Sequence, residues 1–167
     1  TSSLAGPVIR VLFVCLGNIC RSPLAHGVLR HAIEQRGLGE DLAVDSCGTS
    51  AYHNGGGSDP GSVTVARQHG IDISDLISRR LTAADYRNFD LLVAMDRQNE
   101  RDILERQPGN TEPHIVRFMD FVEGAGSPDV PDPYYGGAGG FQVVYELIEA
   151  GMDPLIDFAL TLHSSPS

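Results

Sequence analysis

The sequence predicts an α/β fold, a three-layer αβα sandwich in which helices cover both faces of a doubly wound, four-stranded parallel sheet. Short apolar runs of strand length, such as Val8–Val14 and Leu91–Met95, alternate along the chain with segments of helical periodicity. This alternation is typical of βαβ units, whose strands are buried on both faces and therefore form continuous apolar runs. The 167 residues suit one domain, which we expect over residues 8–163.

The first βα unit carries clear boundary signals. Residues 1–7 are small and polar and should form a flexible arm, followed by a strand over Val8–Val14. A helix should then begin near Ser22, which can cap it, and Pro23, which suits the first helical position. Gly37 is placed to end that helix.

The later elements continue the alternation, with limits set by capping residues, glycines and prolines. In order, they are a strand at Leu42–Asp45, a loop over Gly48–Gly61, a helix from Asp59-Pro60 to His69, a capping-box turn at Thr82–Asp85, a strand at Leu91–Met95, a helix capped by Asp96, a strand at Ile115–Met119, a loop over Glu123–Gly140, and a helix from Phe141 to about Leu162 that Pro154 could bend. Residues 164–167 should form a C-terminal tail.

Composition and charge exclude several classes of protein. Twelve Lys+Arg against 22 Asp+Glu give a net charge of −10, and all twelve bases are arginine. A chain without lysine is neither a P-loop nucleotide-binding protein nor a Schiff-base enzyme, and an acidic chain without a basic cluster binds nucleic acid poorly. No apolar run reaches the roughly 20 residues of a membrane span. Three cysteines do not form a disulfide framework, and no cluster has the spacing of metal ligands. We therefore expect a cytoplasmic monomer without metal or cofactor.

The strongest chemical signal is the segment between the first strand and the first helix, called loop 15–22 below. Its members are Cys15, Leu16, Gly17, Asn18, Ile19, Cys20, Arg21 and Ser22. A short connection into a helix N-terminus turns backbone amides inward, where the helix dipole adds positive charge, so the loop should bind a tetrahedral oxyanion such as phosphate. Gly17 permits close approach of the backbone, Asn18 tolerates a left-handed conformation, and Arg21 offers a fork of donors.

Cys15 stands at the carboxyl end of the first strand, where α/β folds bind ligands. The amides, the helix end and Arg21 would stabilise its thiolate, to which the Ser22 hydroxyl can also donate. A thiolate beneath a bound phosphate is a nucleophile toward phosphorus. Taken singly, the cysteine could be a small core residue, the arginine a surface charge and the serine only a helix cap. Their combination at this spacing favours the catalytic interpretation.

Two motifs resemble those of the low-molecular-weight protein tyrosine phosphatases. Residues Val14–Pro23 are similar to the phosphate-binding loop of that family, and Asp132–Gly136, Asp-Pro-Tyr-Tyr-Gly, to its second signature. Weaker similarity covers most of the chain and runs through Asp45–Thr49, His69-Gly70 and Asp90–Arg97. The resemblance implies a phosphotyrosine phosphatase I-like fold, phosphotyrosine proteins as substrates, and a cysteinyl-phosphate intermediate on Cys15.

Cleavage of an aryl phosphate ester requires a proton donor for the leaving oxygen. The Pro-rich loop offers Asp129 and Asp132, and the residues alone leave both open, along with the possibility that an Asp-Pro pair merely forms a turn. Flanking Pro131 and Pro133 would restrict the backbone of Asp132. The family pattern assigns the general acid to the position that matches Asp132, with Asp129 as a structural alternative.

Tyrosines near these motifs are candidate walls of a slot for a flat ring. Tyr134 and Tyr135 adjoin the predicted acid, although a core or surface position would suit them equally well. The family usually has an aromatic residue at the position of Tyr52, which makes that residue the expected opposite wall, with His53 on the rim. Such a slot accepts phosphotyrosine better than the shorter phosphoserine.

Cysteines outside the nucleophile position are given roles chiefly by the resemblance. Related enzymes are reversibly oxidised at the pair matching Cys15 and Cys20, so Cys20 is either a redox partner of the nucleophile or a packed small residue. Cys47 is expected to be buried and inert. An arsenate reductase of the same fold would need further resolving cysteines, and a phosphotyrosine-binding module without turnover would not need Cys15, Arg21 and Asp132 together.

One departure from the family concerns the support of Asn18. Family members often carry a His shortly after the His-Gly-Ile motif, and it supports the Asn of the phosphate loop. Residues 72–80 contain no His here, so Ser46 or Ser78 is the expected substitute. Arg79 and Arg80, in the same stretch, are interpreted as ordinary surface charges.

Overall fold

Four parallel strands form the sheet of the computed structural model, which describes residues 8–18, 20–50, 55–124, 126–131 and 140–163. The strands are β1 (Ile9–Cys15), β2 (Leu42–Gly48), β3 (Leu91–Ala94) and β4 (His114–Arg117), in the spatial order β2-β1-β3-β4. All neighbouring pairs are parallel, which confirms the predicted sheet.

Helices cover both faces of this sheet. They are α1 (Arg21–Arg36), α2 (Pro60–Gln68), α3 (Asp85–Asn88), α4 (Arg97–Arg106) and α5 (Gly140–His163), with a 3₁₀ turn at Phe118–Phe121. Alternate residues of β1 face opposite layers: Val11 and Phe13 join the core beneath α1, α2 and α5, whereas Leu12 and Val14 join the core beneath α3 and α4. The three-layer αβα prediction is confirmed.

Several predicted boundaries need correction. Ser22 does not cap α1, because the helix already begins at Arg21, with Cys20 at the N-cap position. The fourth strand ends at Arg117, and the backbone then tightens into the 3₁₀ turn where the prediction extended the strand to Met119. The last helix spans Gly140–His163 with Pro154 inside it, which confirms the predicted helix from Phe141 to about Leu162. Gly37 does end α1, with a φ of 66° that suits glycine.

Strand order determines where a ligand can bind. Within the sheet, β2 adjoins one edge of β1, and β3 followed by β4 adjoins the other edge, so the order of the strands reverses at β1. In doubly wound sheets the crevice at this reversal, beyond the carboxyl ends of the two central strands, is the usual ligand site. Here those ends are Cys15 on β1 and Ala94 on β3.

Candidate active site

Cys15 occupies the base of the crevice and is buried, with 3% of its surface exposed. The Asn18 backbone N–H donates to its sulfur at 3.2 Å, and Ser22 Oγ lies 3.0 Å from the same sulfur. Ser22 Oγ accepts a hydrogen bond from Asn18 Nδ2 at 2.9 Å, and its own proton has two acceptors within reach, the Cys15 sulfur at 3.0 Å and the Cys47 carbonyl oxygen at 3.4 Å, of which the sulfur is the nearer. The predicted contact between serine and cysteine is confirmed, and it explains why this serine is not a helix cap.

Asn18 adopts the left-handed conformation that the sequence suggests, with a φ of 55°. The Arg79 N–H donates to its Oδ1 at 3.0 Å, and the Ser78 hydroxyl donates to its carbonyl at 2.6 Å. Of the two serines considered as its support, Ser78 therefore contacts Asn18. Ser46 instead lies 3.0 Å from Nδ1 of buried His26.

Arg79 is not the ordinary surface charge that the sequence suggested. Its guanidinium makes hydrogen bonds to both carboxylate oxygens of Asp85 at 3.0 Å and to Asp45 at 3.1–3.2 Å. Burial alone would lower the pKa of Arg79, but the Asp85 hydrogen bond and nearby negative charges raise it above its ordinary value. A permanently charged, doubly anchored arginine thus fixes the backbone N–H that holds Asn18. Arg80 is exposed, as expected.

Arg21 is buried and is held by one group directly after β3 and by another beyond the 3₁₀ turn. Its Nη1 donates to Asp96 Oδ2 at 2.8 Å and to the Val130 carbonyl at 2.9 Å. Asp96 also caps α4 through Oδ1, which accepts the Asn99 N–H at 2.7 Å. Sequence reasoning identified only the capping role. Since β3 adjoins β1, the first polar residue after β3 lies beside loop 15–22, and only the observed strand order reveals this second role.

A cavity of about 290 Å³ opens beside this arginine. Leu16, Arg21, Asp96, Asp129 and Pro131 contribute to its wall. Leu16 is 56% exposed, so loop 15–22 contributes an apolar side chain to the wall of this cavity. Arg21 thus borders the crevice while its guanidinium is held in place.

Asp129, one of the two candidate acids, is paired with Arg97. Its carboxylate accepts hydrogen bonds from the Arg97 backbone N–H at 2.9 Å and from the guanidinium at 3.2–3.3 Å. Partial burial would raise the pKa of Asp129, but these hydrogen bonds and the positive charge lower it overall. The carboxyl is therefore ionised at neutral pH, a poor state for a general acid.

Other predicted site residues lie outside the described residues. These are Ile19, Tyr52, His53, Asp132, Tyr134 and Tyr135. The three cysteines are all described, all buried, and none forms a disulfide. Cys47 is fully buried, which raises the pKa of its thiol well above the ordinary value and confirms the expectation of a buried residue.

Gly48 is a residue of the site that sequence reasoning missed. It is the sheet partner of Cys15, and a Cβ at this position would lie 2.6 Å from the Leu16 carbonyl oxygen and 3.1 Å from the Asn18 nitrogen. Loop 15–22 therefore packs directly on the glycine backbone. The sequence could have indicated this role, because Gly48 follows the second predicted strand and a glycine in a strand often marks a close approach of another backbone.

Two kinds of feature are absent from the described ranges of the chain. No helix in them has the length and hydropathy needed to cross a bilayer, and no three His, Cys, Asp or Glu side chains in them are grouped as ligands of a metal ion.

Comparison with known proteins identifies the family. The family model described as low molecular weight phosphotyrosine protein phosphatase matches residues 10–163. A protein of that description from Schizosaccharomyces pombe is 43% identical over 138 residues, which cover 82% of this chain and 88% of that protein.

Solved structures agree with this match. The crystal structure of YfkJ from Bacillus subtilis has a TM-score of 0.86 and 36% identity, covering 94% of this chain and 98% of that one. A protein tyrosine phosphatase from Entamoeba histolytica, crystallised with Hepes in the active site, has a TM-score of 0.83 and 39% identity, covering 89% and 95%. The sequence resemblance is confirmed: the chain belongs to the low molecular weight phosphotyrosine protein phosphatase family, a family of hydrolases.

Proposed function

We propose that this chain hydrolyses phosphotyrosine in proteins, and small aryl phosphates, through a phosphate ester of Cys15. The observation that carries the proposal is the environment of the Cys15 sulfur at the end of β1. One backbone N–H and one hydroxyl converge on this sulfur, in a loop that leads into the N-terminus of α1. Such groups stabilise a thiolate and an adjacent phosphoryl group in the same way.

In the first step the Cys15 thiolate attacks phosphorus in line with the leaving tyrosyl oxygen. An S–P bond forms as the P–O bond breaks, and Asp132 transfers its proton to the departing phenolic oxygen. Arg21 and the amides of loop 15–22 hold the three equatorial oxygens, whose charge grows in the transition state. The pairing of Arg21 with Asp96 supports this role, because a guanidinium fixed in advance loses little entropy on binding.

In the second step water attacks the cysteinyl-phosphate. Asp132, now ionised, removes a proton from that water as the O–P bond forms and the S–P bond breaks. Inorganic phosphate leaves and the Cys15 thiolate is restored. The Ser22 hydroxyl, 3.0 Å from the sulfur, donates to the thiolate as it departs.

The choice of Asp132 over Asp129 rests on the family motif and on the state of Asp129. An aspartate whose pKa is lowered by Arg97 does not carry a proton at neutral pH. Asp132 follows Pro131, which lines the cavity beside Arg21, so the chain leads from the described wall of the crevice to the proposed acid.

Substrate recognition is assigned to Tyr52, Tyr134 and Tyr135 as the walls around the ring of phosphotyrosine. Hepes in the active site of the Entamoeba relative supports oxyanion binding in loop 15–22, because its sulfonate is tetrahedral and anionic like phosphate. We assign the protein to the cytoplasm, where thiols stay reduced. We also assign Cys20 to a reversible disulfide with Cys15 that forms when a peroxide oxidises the two thiols: the S–S bond forms as the O–O bond of the peroxide breaks, and both oxygens leave as water or alcohol.

The test is hydrolysis of p-nitrophenyl phosphate and of a phosphotyrosine peptide by the wild type and three variants. Cys15→Ser should abolish turnover, and Asp132→Ala should lower kcat by about 10²–10⁴-fold. Asp129→Ala is the matched control, in the same loop with the same change of side chain, and it should retain activity. A wild type that binds phosphate without turnover would contradict the proposal, and reduction of arsenate with a thiol would then identify an arsenate reductase.

A further inference from the structure

Loop 15–22 is surrounded by hydrogen-bond donors that contact its carbonyl oxygens from outside. The Thr49 N–H donates to the Cys15 carbonyl and the Ser50 N–H to the Leu16 carbonyl, both at 2.9 Å. In a trans peptide the C=O and N–H point in opposite directions. A donor that holds the C=O of such a peptide unit on one side therefore also sets the direction of the N–H of the same unit toward the opposite side.

Two of these outer donors are side chains rather than backbone. The Ser78 hydroxyl donates to the Asn18 carbonyl at 2.6 Å, and the Ser62 hydroxyl donates to the Cys20 carbonyl at 3.2 Å. Both serines are buried, at 3% and 1% exposure. A buried hydroxyl costs free energy unless it is hydrogen-bonded, and the acceptor that each of these hydroxyls contacts belongs to loop 15–22.

The two serines approach the loop from separate, well-held segments. Ser62 lies in the first turn of α2, whose N-terminus Asp59 caps by accepting the Gly61 N–H at 2.9 Å. Ser78 is fixed by backbone hydrogen bonds of 2.7 Å to Gly55 and Gly56. Neither serine touches the Cys15 sulfur in the described contacts, so each acts on the loop backbone alone.

We propose that Ser62 and Ser78 are positioning residues that set the anion affinity of loop 15–22. Ser78 holds the Asn18 carbonyl, and Ser62 holds the Cys20 carbonyl together with the Leu24 N–H at 3.3 Å, so that phosphate meets a loop whose backbone is already oriented. Preorganised dipoles bind an anion more tightly than dipoles that must reorient. This inference rests on the proposed function, since it concerns the phosphate that the loop would bind.

The experiment compares Ser62→Ala and Ser78→Ala with Ser58→Ala. Ser58 is the matched control, because its hydroxyl donates to a backbone carbonyl outside the loop, that of Ile73 at 3.3 Å. For each variant, calorimetry gives the Kd of inorganic phosphate, p-nitrophenyl phosphate gives kcat and KM, and thermal unfolding gives Tm. Loss of one hydrogen bond should weaken phosphate binding and kcat/KM by about three- to tenfold in the two loop variants. The Ser58 variant should bind phosphate like the wild type.

The outcomes separate the possible failures. Unchanged phosphate affinity in both loop variants, with a lower Tm, would show a purely structural role and overturn the inference. Equal weakening in the Ser58 variant would overturn it as well, because the effect would then be general. A wild type that binds no phosphate would refute the proposed function, and the inference with it.

Discussion

Gly48→Ala tests how closely loop 15–22 depends on the neighbouring strand. The added methyl group would lie 2.6 Å from the Leu16 carbonyl oxygen, where ordinary contact requires about 3.4 Å. The φ of Gly48 is not in the left-handed region, so the backbone itself accepts alanine. The clash with the loop is therefore the only new strain.

The size of the effect depends on whether Gly48 or loop 15–22 moves to relieve the clash. Raising 2.6 Å to 3.4 Å requires a displacement of about 0.8 Å. Gly48 cannot retreat easily, because its N–H donates to Arg79 and its carbonyl accepts from Leu81, both at 2.8 Å. The loop must therefore shift, and a misplacement near 1 Å costs on the order of 10²-fold in rate. We expect kcat/KM to fall about 10–100-fold and the free energy of unfolding to fall by about 1–3 kcal/mol.

The assay is p-nitrophenyl phosphate hydrolysis together with urea unfolding. Gly39→Ala is the control, since its Cβ would meet no atom within 4 Å and its φ is also not left-handed. That variant should match the wild type in kcat/KM. Wild-type activity in the Gly48 variant would refute the argument, because it would show that the geometry of the loop is not set by its contact with β2.

Three further predictions concern buried groups around the site. Burial lowers the pKa of His26 from 6.5 to about 4. Between pH 6.5 and pH 4, His26 is therefore protonated in the unfolded chain and neutral in the folded chain. The free energy of unfolding should therefore fall as the pH falls below 6.5. Measured by urea unfolding, its decrease from pH 7 to pH 5 should be about 2 kcal/mol larger in the wild type than in His26→Gln. Arg79→Gln leaves the buried carboxylate of Asp85 without its ion pair and should cost about 2–4 kcal/mol of unfolding free energy, whereas Arg79→Lys should cost less. Cys47 should resist iodoacetamide until the protein unfolds, as peptide mass analysis would show, and labelling of the native protein there would contradict its burial.

Much of the fold could be predicted because its signals are local. The β1 strand is apolar on both faces, and Gly37 and Asp96 mark helix limits by chemistry that acts within a few residues. The start of α1 was predicted wrongly because the Ser22 hydroxyl could either cap the helix or contact Cys15. Only the folded loop shows that its hydroxyl contacts Cys15 and Asn18.

The site was predictable where one short segment carries it and not where distant segments meet. Cys15, Asn18 and Ser22 could be placed together from a single loop. Asp96 and Arg79 reach the loop from 75 and 61 positions away, through strand order and backbone pairing that no local pattern encodes. Such residues look like caps or surface charges in the sequence, because their second contact is visible only in three dimensions.

The overall charge of the chain shows what must supply the affinity for an anion. A net charge of −10 opposes the approach of a phosphate dianion, and Arg21 is already paired with Asp96, so together they carry no net charge. Attraction by net charge is therefore a poor explanation for binding at loop 15–22. Oriented backbone amides are the other source of anion affinity that we propose. Their contribution to that affinity depends on how firmly they are held in position rather than on the number of charges around them. We therefore expect contacts that never touch the substrate, such as Gly48 behind the loop and the serine hydroxyls outside it, to influence the proposed anion binding through the orientation of those amides.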